Sequence, residues 1–208
     1  MHKNIRGLYK LPGLVVKRPF EGFYSIKHKE AGSYWFVAVN LLLFWISYSF
    51  VRQYASILVN DINVDAINSL ADLLGIIAVF FLWCVGNWSI TSLSDGKGTF
   101  REIAITTASA LTPVLIIWVP AAIVSNFLTL EESVFYHLAI TISLIWAAFL
   151  LFTGTLTIHE YTALKTAGVI FLTFISMLII IFLFVLTVTI LQQVWVFFIS
   201  IYTELTFS

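Results

Sequence analysis

Five apolar runs, each long enough to cross a bilayer, leave this chain few folds to choose from. They cover roughly residues 34–51, 70–93, 103–128, 134–158 and 167–191. About 20 predominantly apolar residues suffice to span a hydrocarbon core of about 30 Å. In hydrocarbon every backbone N–H and C=O must be satisfied within its own segment, so the runs are read as helices, although their many Ile, Val, Phe and Thr residues favour strands in water. The expected fold class is all-α, a polytopic membrane bundle of five transmembrane helices. Composition agrees, with 60% hydrophobic and 11% charged residues and a mean hydropathy of +0.98, outside the usual range of soluble domains. The spans use most of the 208 residues, which leaves no room for a separate soluble catalytic domain.

The formal net charge is zero, yet the charges are unevenly placed. Lys3, Arg6, Lys10, Lys17, Arg18, Lys27 and Lys29 precede the first run, Lys97 and Arg101 lie in or beside the second connection, and Lys165 lies in the fourth. With an odd number of spans all of these fall on one side. Arg52 alone falls on the other, near the acidic Asp61, Asp65, Glu131 and Glu132. Because Lys and Arg are retained on the cytoplasmic side, the N-terminus is expected inside and the C-terminus outside.

Three segments follow: a basic, aromatic cytoplasmic or interfacial stretch (1–32), the five-helix domain (33–191) and an apolar C-terminal extension (192–208). The first lacks the apolar core and small-residue cleavage site of a secretory signal, so it is expected to stay in the mature protein. Pro19 can open a short helix there, with Phe20, Phe23, Tyr24 and Lys27 on a shared face, suited to an interface with anionic lipid headgroups. The alternative is a positive topology anchor without a specific ligand. Residues 192–208 are too short for a return crossing and either extend the fifth helix or lie at the outer interface, where Trp195 and Tyr202 fit. Cys84 is the only cysteine. No disulfide framework or metal spacing is therefore possible for thiols, and Cys84 reads as a packing residue.

The connection "GNWSITSLSDGKGTFREI", residues 86–103, raises the question of phosphate binding. A phosphate loop needs a glycine five residues before a Gly-Lys-Ser/Thr, after a strand. Here Gly98 follows Lys97, the upstream glycine is missing, and a membrane helix stands in place of the strand. What remains is a tight turn: Gly96 and Gly98 permit positive φ, Asp95 can accept from nearby backbone N–H groups, and Thr99 with Glu102 forms a capping box. The fourth connection, "TIHEYTALKTAG", places His159, Glu160 and Tyr161 on the same rim. Adjacent helical residues diverge by about 100° and no second His or Cys stands at ligand spacing, so no metal is assigned. His159 and Glu160 are instead expected to meet Asp95 and Lys97 in a polar patch for a partner or a lipid headgroup. No Gly-x-Ser-x-Gly is present, and no catalytic residue or cofactor is expected.

No ionisable side chain lies near the middle of a span, which disfavours ion-coupled transport. Asn40, Asn87 and Asn126 are expected to act as interhelical hydrogen-bonding glue. Pro113 and Pro120 should kink the third span, shaping the bundle or a lipid-facing cleft near Asn126.

The stretches "KRPFEGFYSIKHKEAGS", "WCVGNWSITSLSDGKGTFREI", "ALTPVLIIWVPAAIVSN" and "GTLTIHEYTALKTAG" resemble bacterial members of the Yip family, the Ypt/Rab-interacting membrane proteins. The resemblance covers about residues 17–190, and its best marks are Gly86, Asn87, Trp88, Asp95, Gly96, Gly98, Pro113 and Pro120. It implies a five-helix membrane domain with a cytoplasmic N-terminus. The long N-terminal region and the Asp-Leu-Tyr-Gly-Pro motif of eukaryotic members are missing, so Rab binding and Golgi traffic do not transfer. The bacterial branch implies a multi-pass protein of the cell membrane, the bacterial plasma membrane, with an accessory relation to transport machinery.

Two functions are therefore expected to compete. One is a non-enzymatic scaffold or accessory protein that binds another integral membrane protein, or a second copy, through a rim formed by Asn87, Trp88, Asp95, Gly96, Lys97, Gly98, His159, Glu160 and Tyr161. The other is a small passive transporter or lipid-handling protein that uses Asn87, Pro113, Pro120 and Asn126. No nucleic acid is expected as a partner, since no soluble basic surface is present.

Overall fold

The computed structural model describes residues 5–29, 31–60 and 67–207. Lys3, Asp61 and Asp65 lie outside the described residues, as do the side chains of Arg6 and Lys10. The described residues form helices α1 (Ile5–Lys17), α2 (Pro19–Lys29), α3 (Tyr34–Tyr54), α4 (Ser69–Leu93), α5 (Phe100–Ala110), α6 (Thr112–Ser125), α7 (Ser133–His159) and α8 (Ala163–Phe207). Five segments are long and apolar enough to cross a membrane: α3, α4, α5 with α6, α7 and α8.

The starts of α3, α4 and α5 carry side-chain caps, which satisfy orphan N–H groups. Ser33 accepts from the Phe36 N–H at the head of α3 and Asn68 from the Ala71 N–H at the head of α4. At α5 the expected capping box forms: Thr99 Oγ1 accepts from Glu102 N–H at 3.3 Å, and Glu102 Oε2 accepts from Thr99 N–H at 2.9 Å.

The third span is broken at Leu111, between α5 and α6. Pro113 has no N–H to donate to the carbonyl four residues back, that of Ser109. The Thr112 hydroxyl takes that carbonyl instead, at 2.7 Å. Pro120 sits inside α6 without ending it.

The N-terminal segment differs from expectation. A helix, α1, precedes Pro19 despite Pro12 in its interior, and it buries Leu11 and Val15. Phe23 does not share an outward face with Phe20 and Tyr24: it is fully buried, whereas those two are more than half exposed. Spacing alone groups these residues, since Phe20 and Phe23 are three apart and so are Tyr24 and Lys27. Packing makes the split: Phe23 and Lys27 lie on the side turned to the bundle, and Phe20 and Tyr24 on the side turned away. The Phe23 ring lies against Gly154 of α7, where a Cβ would come within 3.1 Å of it. Gly22 is needed for a similar closeness, since its Cβ would lie 2.7 Å from Val15 Cγ2 of α1. The first two helices are thus packed onto the bundle through buried apolar side chains.

α7 packs on α2, α5 and α6, α4 packs on α8, and α3 crosses the two halves of the third span. Polar bonds join several of these pairs. Asn87 Nδ2 donates to Thr173 Oγ1 at 3.3 Å between α4 and α8, and Trp118 Nε1 donates to Ser143 Oγ at 3.0 Å between α6 and α7. Asn126 Nδ2 ties the end of α6 to the Tyr54 carbonyl at 2.8 Å. Asn40 departs from the expected role: its amide donates to the Phe36 carbonyl one turn back in its own helix. Such back-bonding satisfies a buried amide without a neighbour.

α8 continues without interruption through residues 192–207, and every residue from 181 to 204 is exposed.

Candidate functional site

Two chain reversals meet on one rim, the turn from α4 to α5 and the turn from α7 to α8. Both begin with the same helix ending. In α4 the Gly96 N–H donates to the Thr91 carbonyl at 2.8 Å, and in α7 the Tyr161 N–H donates to the Leu156 carbonyl at 3.1 Å. Each bond spans five residues and closes a Schellman motif, which needs one left-handed residue just before the donor. That residue is usually glycine. Here it is an acid each time, Asp95 with φ 55° and Glu160 with φ 57°.

The glycines beside Asp95 therefore serve a purpose other than the one expected. Neither has a positive φ, and both are small because His159 leaves no room. A Cβ on Gly96 would lie 2.6 Å from His159 Nδ1, 2.6 Å from the Tyr161 hydroxyl and 2.8 Å from the Thr91 carbonyl oxygen. A Cβ on Gly98 would lie 2.6 Å from His159 Cε1. The close approach lets Gly98 N–H donate to His159 Nδ1 at 3.2 Å, which places the proton of the neutral ring on Nε2. His159 stacks on Tyr161 with centroids 5.3 Å apart, and the Tyr161 hydroxyl donates to the Ser94 carbonyl at 3.0 Å.

Charges brace the same contact. Lys97 Nζ meets Glu160 Oε2 at 2.5 Å on the surface. Lys27 of α2 reaches the Lys97 carbonyl and Glu102 Oε2, the latter at 3.2 Å in a largely buried pair. α2, both turns and the start of α5 are therefore connected. The Lys97 ammonium bonded to Glu160 holds that carboxyl below the usual carboxylate range. Burial pushes the Tyr161 phenol up, and the Asp95 charge adds to that shift.

Asp95 itself departs from expectation. Its carboxylate accepts no hydrogen bond from the turn among the described residues, because the residue spends its position on the left-handed backbone and points its side chain into solvent. Asp95, Lys97 and Glu160 are exposed, Trp88 is about half exposed and edge-on to Phe100, and His159 and Tyr161 are buried. Asn87 is buried deeper in α4, about two turns below Asp95.

The residues singled out for a cleft do not gather in one place. Pro113 lies near the middle of the third span, Pro120 further along it, and Asn126 at the far rim. A cavity of about 640 Å³ does open beside the broken span, yet Thr107, Leu111 and Trp118 line it in that span, and Asn87, Pro113, Pro120 and Asn126 do not. At its far-rim end lies Asp72, paired with Arg52 at 2.5 Å. Sequence reasoning passed over this pair. Arg52 as the lone basic residue of its side and Asp72 as the lone acid of the second run were the available signal.

These helices define a polytopic α-helical membrane protein. The Yip1 domain family model matches residues 13–201, and the chain belongs to that family. Comparison with curated proteins and with solved structures finds no match.

Proposed function

We propose that the protein is a non-enzymatic integral membrane scaffold or accessory protein, which binds another membrane protein of the transport machinery through the rim around Asp95. This is the rim with the excess of Lys and Arg. By the retention of those residues it faces the cytoplasm, and in a bacterial cell the membrane is the plasma membrane. Exposed Phe20 and Tyr24, with Lys17, Arg18 and Lys29 nearby, suit contact with anionic headgroups beside the same rim.

Asp95 is the observation that supports the reading. Left-handed backbone is uncommon outside glycine, and Asp is one of the few residues that tolerate it. Glu160 in the same conformation meets Lys97, whereas the Asp95 carboxylate is exposed and makes no hydrogen bond or ion pair among the described residues. A carboxylate held at the tip of the turn and not used by the fold is available for use outside it. The complementary group on the partner is a cation.

Asp95→Asn tests this, because Asn tolerates the left-handed backbone and removes only the charge. Wild type and variant would be purified from native membranes in mild detergent and compared by quantitative mass spectrometry of associated proteins. Loss of a stoichiometric membrane-protein partner, with insertion and melting unchanged, supports the reading. An unchanged set of associated proteins refutes it.

A further inference from the structure

α8 leaves its own bundle partway along its length. Its early turns pack on α4, where Thr173 meets Asn87. The two helices run antiparallel, and Asn87 is 18 residues from Ser69 (87 − 69), so the start of α4 is level with about residue 191 of α8 (173 + 18). Every residue from 181 to 204 is exposed. About 36 Å of helix, at 1.5 Å per residue, thus has no cover from its own chain.

One face of this stretch is polar. Thr189, Gln193, Val196, Ser200 and Thr203 follow one another at spacings of 4, 3, 4 and 3, the seam of a left-handed coiled coil. Gln192 and Phe197 flank the seam, and with Thr189, Gln193, Val196 and Ser200 they line a shallow groove along the helix. Of the polar side chains between 181 and 203, only Thr187 and Tyr202 lie elsewhere. The large aromatics Trp195, Phe198 and Tyr202 each stand two residues past a seam position, about 200° around the helix and so on the opposite face. Thr189 and Thr203 donate to the carbonyls of Val185 and Ile199 at 2.9 and 2.8 Å, which leaves their oxygens able to accept. The exposed Gln193 amide makes no hydrogen bond among the described residues.

The seam points away from its bundle. Gln193 is 20 residues beyond Thr173 (193 − 173), a rotation of about 2,000° and a net turn of about 200° from the side that meets α4. Another molecule can therefore approach without displacing a helix. No charged side chain occurs from residue 166 to 203, so the seam offers nothing to a cation or an anion. It offers an amide, donor and acceptor at once, and a second amide is its complement. A second copy of this chain in the same membrane carries its Gln193 at the same depth, on a helix that runs the same way. A twofold axis along α8 sets the two amides against each other.

We propose that the protein forms a parallel homodimer through this seam of α8, with Gln193 of one copy bonded to Gln193 of the other. A polar side chain at one seam position fixes register and the number of helices, and the small hydroxyl residues around it let the two backbones come close. Trp195, Phe198 and Tyr202 stay on the outside of the pair. The seam shares no residue with the Asp95 rim and does not depend on that rim's function.

The test uses the purified full chain in phosphocholine-lipid vesicles. In a Cys84→Ala background, Val196→Cys on the seam should give a disulfide-linked dimer on mild oxidation, and Phe198→Cys on the opposite face should not. Energy transfer between donor- and acceptor-labelled copies, followed as added lipid dilutes the protein, reads the dimer constant. Gln193→Ala should weaken the dimer about 3- to 30-fold, the range for interhelical hydrogen bonds in membranes. Phe198→Ala should leave the dimer constant unchanged, and melting of the bundle should be the same in both variants because both side chains are exposed. Absence of energy transfer at every dilution, equal crosslinking at 196 and 198, or a dimer constant unmoved by Gln193→Ala would overturn the seam.

Discussion

Replacing Gly98 by alanine should loosen the rim, and the structure sets the size of the effect. The new Cβ would sit 2.6, 2.9 and 3.0 Å from His159 Cε1, Nδ1 and Nε2, all atoms of one ring. Ordinary contact begins near 3.4 Å, so ring and turn must separate by roughly 0.8 Å. The ring has little freedom to retreat, because it is 1% exposed and stacked on Tyr161. Overpacking of this kind costs about 1–3 kcal/mol. Separation also breaks the bond from Gly98 N–H to Nδ1, worth about 1 kcal/mol. The sum is about 2–4 kcal/mol, measurable as a lower melting temperature of the purified protein in detergent. The decisive comparison is a double-mutant cycle with His159→Ala, which removes the obstructing ring. Gly98→Ala and His159→Ala together should cost less than the sum of the singles by at least about 1 kcal/mol. Additive losses, or a Gly98→Ala variant that melts like wild type, would refute the steric explanation of this glycine.

Three further outcomes are expected. Thr99→Ala removes one half of the capping box at α5 and should cost about 1 kcal/mol, read from melting; a loss below a few tenths would mean that the start of α5 is held by Lys27 and Glu102 instead. A cycle of Asn87→Ala with Thr173→Ala should give a coupling of about 0.6 kcal/mol between α4 and α8, and zero coupling would remove that bond from the account. Glu160 has its folded pKa lowered, chiefly by the Lys97 hydrogen bond, so its stabilisation is present above the usual carboxylate pKa and disappears as pH falls through the lower folded value. Wild type should therefore lose more melting temperature than Glu160→Gln between pH 6 and pH 3 (about three units spanning the ordinary carboxylate range), and parallel losses would contradict it.

The spans were legible because hydrocarbon admits few structures: an apolar run of sufficient length must be helical whatever its β-branched content. The capping box was legible because it is local, needing only Thr99 and a Glu three residues later. Contact between the two turns followed from counting spans, which puts residues 95–98 and 159–161 on one rim. The role of Gly96 and Gly98 did not follow, since it depends on a His159 ring 61 residues from Gly98. Residues that tolerate left-handed backbone include Asp, so two acids took positions at which glycine was the natural expectation. The inward turn of Phe23 was missed because i,i+3 and i,i+4 spacing groups it with Phe20 and Tyr24, and only the packing of α2 on α7 decides which side of that group is covered. The Arg52–Asp72 pair escaped because each residue sits at the end of an apolar run, where averaged hydropathy hides a single charge.

The last helix is a matter of reach. Its 45 residues, at about 1.5 Å each, make a rod roughly 68 Å long. A bilayer with its headgroups is about 40–45 Å thick. From Ala163 the rod attains about 44 Å near Gln192, where two polar residues, Gln192 and Gln193, stand side by side. Past that point about 22 Å of helix, Gln192 to Phe207, carries exposed Trp195, Phe197, Phe198 and Tyr202 into a region where apolar side chains have no hydrocarbon to enter. A helix that stood upright there would hold a greasy mast in water. Tilting or bending of the helix returns those aromatics to the headgroups, where such rings are favoured, so the length of α8 sets a demand on the bundle that a straight, upright helix does not meet.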